Sequence, residues 1–132
     1  MKTFKILTII GIISFAFYSF TTLVQEEWKV PAKYETMKNP IAAKTDAAIG
    51  KSLYTKHCKS CHGAEGYGDG PKADDLKGNL GDFSSKAFQK QSDGALFYKT
   101  TTGRDDMPEF AKKLSSDEDR WLIVNYMRTL AE

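Results

Sequence analysis

The residues of this chain with the clearest chemical meaning are Cys58, Cys61 and His62, which stand in the run Cys58-Lys59-Ser60-Cys61-His62. One helical turn separates the two thiols, so both sulfurs can reach the two vinyl groups on one edge of a porphyrin. The imidazole directly behind the second thiol can then bind the iron beneath the ring. C-x-x-C-H is the pattern of covalent c-type haem attachment. The sequence therefore predicts one haem c, bound through two thioethers, with His62 as an axial ligand of the iron.

Other uses of the two cysteines fit the sequence less well. A thiol-disulfide redox site is expected within a βαβ pattern, and no such pattern surrounds this motif. A structural zinc site needs four protein ligands. Cys58 and Cys61 are the only cysteines of the chain, and the only spare histidine is His57, next to Cys58. A chance occurrence of the motif in a buried helix is the third and blandest alternative.

An iron bound to His62 has a second axial position to be filled. The chain offers four methionines and one further histidine for this position: Met1, Met37, Met107, Met127 and His57. Met127 lies on the apolar stripe of the last predicted helix, where core packing explains it. Met37 would need a long reach from an N-terminal arm. His57 is tied to the attachment helix on the wrong side of the ring.

Met107 is the remaining candidate for the second axial ligand. It stands in a loop between two predicted helices and precedes Pro108, which restricts Met107 to extended geometry. A thioether there can approach from the face opposite His62. The alternative is a loop methionine that only covers apolar surface. Ligation by His and Met raises the reduction potential and closes the iron to O₂ or substrate, which favours electron transfer.

The N-terminus has the pattern of an export segment. Lys2 and Lys5 precede an uncharged stretch from Ile6 to Val24, and acidic residues follow it. This is the arrangement of a secretory signal, and its 19 residues are also just enough to span a bilayer as a helix. Residues 1–24 are therefore predicted to be a signal peptide or an N-terminal membrane anchor, with a possible tether through residues 6–24. Either alternative makes the protein periplasmic or exported.

The charge balance excludes one class of partner. Apart from Lys2 and Lys5, the chain has 17 basic and 17 acidic residues. Such a balance provides no basic field, so no nucleic-acid partner is expected. The expected partners are redox proteins.

The rest of the chain divides into an arm and one domain. Residues 25–45 are predicted to be an extended linker or arm, because Pro31 and Pro40 interrupt it. Its Trp28 and Tyr34 would either clamp it onto the domain or belong to a mobile spacer. Residues 46–132 are predicted to form a monohaem domain.

Three helices are predicted in that domain, and no strand pattern is visible, so the fold class is all-α. The first is capped by Thr45, carries Ile49, Leu53 and His57 at helical spacing, and runs into the haem motif. Its Gly50 is expected to mark a close crossing with another helix. The second begins at Ser92 or Asp93 and ends at Gly103. The third begins at a capping box made by Ser115 and Glu118.

Taken in order, these pieces resemble a class I bacterial c-type cytochrome, the small monohaem domain also found appended to respiratory oxidoreductases. The resemblance covers residues 45–132. It rests on Gly50 with Tyr54, Cys58 to Gly63, Gly66 to Pro71, Ser92 to Phe97, Met107-Pro108, and Asp119 to Leu130. It implies the class I cytochrome c fold, with three to five helices packed around a covalently bound haem.

The resemblance also implies roles for single residues. Cys58 and Cys61 would hold the porphyrin, and His62 and Met107 would be the axial ligands. Pro71 resembles the proline whose carbonyl accepts a hydrogen bond from the other nitrogen of the proximal imidazole. Tyr98 stands where relatives often have a tryptophan that contacts a haem propionate. Arg104 is the candidate for neutralising a propionate.

These residues predict an electron-transfer protein and not an enzyme. It would carry single electrons between respiratory redox partners, alone or as a subunit of an oxidoreductase complex. The alternative is a haem enzyme or gas sensor whose sixth coordination site opens. That function would need a distal acid and base, for which His57 is poorly placed.

Overall fold

The computed structural model describes residues 27–42 and 45–131, and the described part is helical. Its three longer helices are α2 (Ala47–His57), α5 (Asp93–Thr102) and α7 (Asp117–Arg128). Four single-turn helices accompany them: α1 (Ala32–Glu35), α3 (Lys59–His62), α4 (Lys86–Gln89) and α6 (Phe110–Lys113). A 3₁₀ turn covers Ala73–Asp75. The prediction of an all-α fold is confirmed.

Serine side chains set the starts of α5 and α7. The Ser92 hydroxyl accepts a hydrogen bond from the amide of Ala95 at 3.0 Å, as the sequence predicted. The Ser116 hydroxyl accepts one from the amide of Asp119 at 3.3 Å. The capping box predicted at Ser115 is therefore wrong by one residue. Two adjacent serines precede acidic residues there, and tertiary packing decides which serine has the extended backbone of a cap.

The start of α2 differs from the prediction, which placed the cap at Thr45. Its N-cap is Asp46, in the left-handed conformation at φ 48°, and no side chain caps the helix. The buried residues of α2 are Gly50 and Tyr54. Ile49, one of the three residues noted at helical spacing, is 48% exposed.

The crossing of α2 with α7 fixes the attachment motif in the fold. A Cβ at Gly50 would lie 2.4 Å from the backbone oxygen of Leu122, so only glycine permits this approach. One turn later the rings of Tyr54 and Tyr126 lie 4.9 Å apart. The Tyr54 hydroxyl donates a hydrogen bond to the carbonyl of Gly63, directly after the motif, at 2.9 Å. The close helix crossing expected at Gly50 is confirmed.

Part of the core joins α5, α6 and α7. Phe97 of α5 stacks on Trp121 of α7 with ring centroids 4.0 Å apart. Arg120 is buried, and its guanidinium lies over the Phe97 ring. It donates hydrogen bonds to the Leu114 carbonyl and to the Asp117 carboxylate. These contacts join the three helices into one unit.

The described part of the arm packs against α5 and α7. Tyr34 and Tyr98 have ring centroids 4.7 Å apart. The Asn39 side chain donates a hydrogen bond to the Asn125 side chain at 2.7 Å. A Cβ at Gly94 would lie 2.0 Å from the Tyr34 carbonyl oxygen, so the arm rests directly on the α5 backbone. Of the two alternatives for the arm, the structure shows the clamped one for residues 27–42.

Within residues 27–42 and 45–131, no helix combines the length and the apolar character needed to cross a bilayer. The predicted signal peptide or anchor at residues 1–24 lies outside the described residues.

Candidate cofactor site

An open cavity brings together the attachment motif and the Met107 loop. Cys58, Cys61 and His62 line it from the motif, and Met107 with Pro108 lines it from the loop before α6. Its enclosed volume is about 230 Å³, and the cavity opens to solvent at its mouth. Cofactor pockets typically measure roughly 300–1,000 Å³, so a group of porphyrin size would extend from the enclosed part into the mouth.

The chain positions the two thiols by breaking the helix at the first of them, Cys58. α2 ends at His57, and the single turn α3 begins at Lys59. The amide of Cys61 donates to the Cys58 carbonyl at 3.1 Å, which sets both cysteines on one tight turn. Cys58 is 8% exposed and Cys61 is half-buried, and neither forms a disulfide. Burial, and secondarily the charge of Cys61, raises the pKa of the Cys58 thiol to about 12.

His62 is a half-buried imidazole whose ring packs against a neighbouring aromatic side chain. Its ring stacks on Phe83 with centroids 4.6 Å apart. Burial lowers the pKa of His62, and a hydrogen bond to the backbone of Leu80 opposes this shift. Neutral imidazole is the form that ligates a metal. The Nδ1 atom is buried and has no hydrogen-bond partner among the described residues.

The Pro71 loop lies beside the motif but does not reach the imidazole. The amides of Gly70 and Lys72 donate to the carbonyls of Cys61 and Ser60, at 3.1 and 2.9 Å. Because His62 Nδ1 makes no hydrogen bond, the bond expected to the Pro71 carbonyl is absent from this structure. Pro71 is exposed and does not line the cavity. Its role toward His62 in the haem-bound protein stays a prediction.

A short hairpin holds Met107 at the cavity. The amides of Arg104 and Met107 each donate to the other's carbonyl, at 3.0 and 2.9 Å. A Cβ at Gly103 would lie 2.4 Å from the Met107 carbonyl oxygen, so glycine is needed for the tight turn. The Asp106 carboxylate accepts a hydrogen bond from the amide of Lys77 at 2.8 Å. This contact ties the hairpin to a second segment that lines the cavity.

Two further candidate ligands of the iron line the same cavity. Met127 lies there on α7 and is 5% exposed. His57 also lines the cavity, with its ring edge-on to Phe110 at 6.2 Å. His57 belongs to the attachment helix, directly before Cys58, so its exclusion as the second axial ligand stays a prediction. Met37 does not line it.

The structure brings Arg104 to the cavity but not Tyr98. Arg104 lines the cavity, and its Nε lies 3.5 Å from the Asp105 carboxylate. Tyr98 is not among the lining residues, because its ring packs on Tyr34 of the arm. The contact of Tyr98 with the cofactor stays a prediction; in this structure its ring faces the arm.

Two residues that line the cavity near Arg104, Trp28 and Lys99, were not predicted from the sequence. Trp28 of the arm supplies the aromatic ring there, and Lys99 of α5 lines the cavity one residue after Tyr98. Helical spacing could have suggested Lys99, because Leu96 and Thr100, three residues before and one after it, line the same cavity. Nothing local in the sequence indicates where Trp28 packs.

The donor set fits haem c. Two unpaired thiols on one turn, a neutral imidazole and a thioether line one cavity whose other walls include Phe83, Leu96 and Phe110. Among residues 27–42 and 45–131, no three His, Cys, Asp or Glu side chains converge as a metal site. The residues that would hold haem are Cys58 and Cys61 through sulfur.

The fold and this cavity define a c-type cytochrome domain with one haem attachment motif. The chain belongs to the family described as cytochrome c oxidase, cbb3-type, subunit III, whose model matches residues 45–127. Among solved structures, it resembles a chain of the reducing HAO-like protein complex of Kuenenia stuttgartiensis, with 30% identity and a TM-score of 0.63. That match covers 83% of this chain and 53% of the other, so this chain spans about half of its neighbour's length. No curated protein matches the chain.

Proposed function

We propose that this protein carries single electrons between redox protein partners through one haem c, bound by thioethers to Cys58 and Cys61. The observation that supports this most directly is that both thiols, His62 and Met107 line one cavity. When bound, the haem supplies a reversible ferric/ferrous couple. The chain's part is to hold that group in a largely apolar enclosure and to keep the imidazole neutral.

We assign the axial positions to His62 and Met107. The support for Met107 is its hairpin, which is fixed by two backbone hydrogen bonds and by Asp106. Met127 serves instead in the buried core cluster. His57 directly precedes Cys58, so its position in the cavity wall is tied to that of the attachment motif. With both axial positions filled by protein, the site favours electron transfer over chemistry at the iron.

The setting of this function is the far side of the cytoplasmic membrane. The export pattern of residues 1–24 supports a periplasmic or exported protein, tethered or released. The matched family is described as an oxidase subunit, and the structural neighbour is part of a protein complex. Both support redox proteins as partners, whether in brief encounters or in a permanent complex.

The first test is to purify the exported protein from a host competent in cytochrome maturation. We expect a mass increased by one haem, a pyridine haemochrome spectrum typical of thioether attachment, and a reversible one-electron redox titration. A colourless protein with two free sulfhydryls would contradict the proposal.

The second test separates the candidate ligands. The weak far-red absorption band of ferric haem that reports iron–sulfur bonding should be present and should vanish in Met107→Ala. Met127→Leu and Met37→Ala are the matched controls and should keep the band. Its survival in Met107→Ala would refute the assignment. Rapid CO binding by the untreated ferrous protein would point to a sensor or enzyme with an open sixth site.

A further inference from the structure

Both ends of the described arm are fixed to the domain. At its C-terminal end, the buried Asn125 side chain of α7 accepts a hydrogen bond from the Asn39 side chain at 2.7 Å and donates one to the Ala42 carbonyl at 3.3 Å. At its N-terminal end, Trp28 lines the cofactor cavity, and its ring centroid lies 4.6 Å from Arg104 Cζ. Because both ends are fixed, the chain that precedes the arm leaves the domain at the cavity.

The connection between the cavity and the uncharged N-terminal stretch is short. Val24 is the last residue of that stretch, and four residue steps separate it from Trp28. A fully extended chain covers about 14 Å in four steps. Without a packed arm, the whole segment 25–45 would be free to extend, and its 21 residues could reach roughly 70 Å. The packing of the arm therefore decides how far the cavity can lie from the end of the stretch.

The stretch from Ile6 to Val24 has the length of a membrane span. The apolar region of a signal peptide usually has about 7–15 residues, whereas about 17–25 residues cross a bilayer. No alanine or glycine stands between Phe17 and Glu27, so an Ala-x-Ala type of cleavage site is missing at its end. Lys2 and Lys5 precede the stretch, and basic residues of this kind stay on the cytoplasmic side. These features favour a retained anchor with the domain outside.

We propose that residues 6–24 are retained as an anchor and that the packed arm holds the cofactor cavity close to the outer surface of the membrane. The partner that fits is an integral membrane redox protein whose own redox group lies near that surface. This inference rests on the proposed function, because the cavity must hold the haem. One electron passes between the haem and the partner's group, so that one is oxidised as the other is reduced, and no bond or proton is transferred.

The first experiment lengthens the connection at two places in the full-length holoprotein. A flexible Gly/Ser linker of about 12 residues, which spans about 20 Å on average, is inserted between Glu27 and Trp28. The matched control carries the same linker directly after Ala42, so its spacing from Val24 to Trp28 is unchanged. Each protein is reconstituted in vesicles with a headgroup-labelled fluorescent lipid, and quenching of the label by the haem reports how close the cavity lies to the membrane.

We expect the insertion before Trp28 to lose most of the quenching and the insertion after Ala42 to keep it. Neither insertion removes a contact of the arm, so both variants should keep the wild-type melting temperature. Equal quenching in the two variants, or a haem-loaded soluble protein that lacks residues 1–24, would overturn this inference and leave the proposed function intact. A full-length protein without haem would overturn both.

The second experiment tests the partner in native membranes of the host. We expect the rate at which these membranes reduce or oxidise the haem, followed by its absorbance, to fall severalfold with the insertion before Trp28. The rate should be unchanged with the insertion after Ala42. Washing the membranes free of water-soluble proteins should not slow the wild-type protein. If washing abolishes the redox turnover of the haem, the partner is a soluble protein and this inference is wrong.

Discussion

At the scale of single residues, the position of the Met107 side chain depends on contacts made by the residues next to it. A backbone pairing of Met107 with Arg104 holds its hairpin, and the Asp106 carboxylate adds a side-chain contact from this hairpin to the amide of Lys77. A thioether is a weak ligand that solutes such as imidazole can displace. The stability of the hairpin should therefore determine how easily a solute displaces the Met107 thioether from the iron.

We expect Asp106→Ala to make this displacement easier. A hydrogen bond of this kind contributes about 0.5–1.5 kcal/mol, so the ferric protein should bind added imidazole roughly two- to tenfold more tightly. A spectroscopic imidazole titration measures this. Asp74→Ala, a change at an exposed aspartate in the 3₁₀ turn, is the control and should leave the affinity unchanged. Equal affinities in the two variants would show that Asp106 does not steady the hairpin.

At the scale of elements, the α2–α7 crossing holds the attachment motif against the rest of the domain. It depends on a residue without a side chain, because Leu122 of α7 passes over Gly50. Tyr54 continues the contact and ends on the Gly63 carbonyl. The position of the haem motif is thus tied to the last helix by one glycine and one tyrosine.

Gly50→Ala sets two effects against each other. Helix propensity alone would raise the free energy of unfolding by about 1 kcal/mol. The overlap with the Leu122 backbone should lower it by about 3 kcal/mol, so we expect a net loss of about 2 kcal/mol in chemical denaturation. Ser52→Ala, at an exposed position of the same helix, has only the propensity effect. A stabilisation of Gly50→Ala equal to that of Ser52→Ala would exclude a tight crossing.

At the scale of the whole molecule, the cofactor cavity and the hydrophobic core are one structure. Phe83, Leu96 and Phe110 belong to the buried core and also line the cavity. A domain of this size buries a limited part of its surface and often relies on a metal or a cross-link. The bound haem would therefore complete the core as well as carry the electron.

The protein without covalent haem should consequently be largely disordered. In Cys58→Ser/Cys61→Ser, we expect far-ultraviolet circular dichroism to show little helix and heating to give no cooperative transition. The wild-type holoprotein, prepared in the same host, is the reference and should melt cooperatively. Native-like helicity with a cooperative melt in the double variant would contradict this.

Much of the site and of the fold was predictable from local patterns. The spacing of Cys58, Cys61 and His62 is a covalent requirement written within five residues, and the start of α5 at Ser92 follows from capping chemistry. Gly50 indicated a helix crossing because a glycine inside a helix needs a reason. Such features depend on neighbours in the chain, so the sequence by itself determined them.

Only the tertiary structure decided which distant side chains share the cavity. Trp28 reaches it from the arm, whereas Tyr98, on a helix that lines it, faces Tyr34 instead. The imidazole of His62 stacks on Phe83, and the Pro71 loop is held by the carbonyls of the motif turn. These outcomes depend on how segments far apart in the chain pack together, and residue spacing carries no record of that packing.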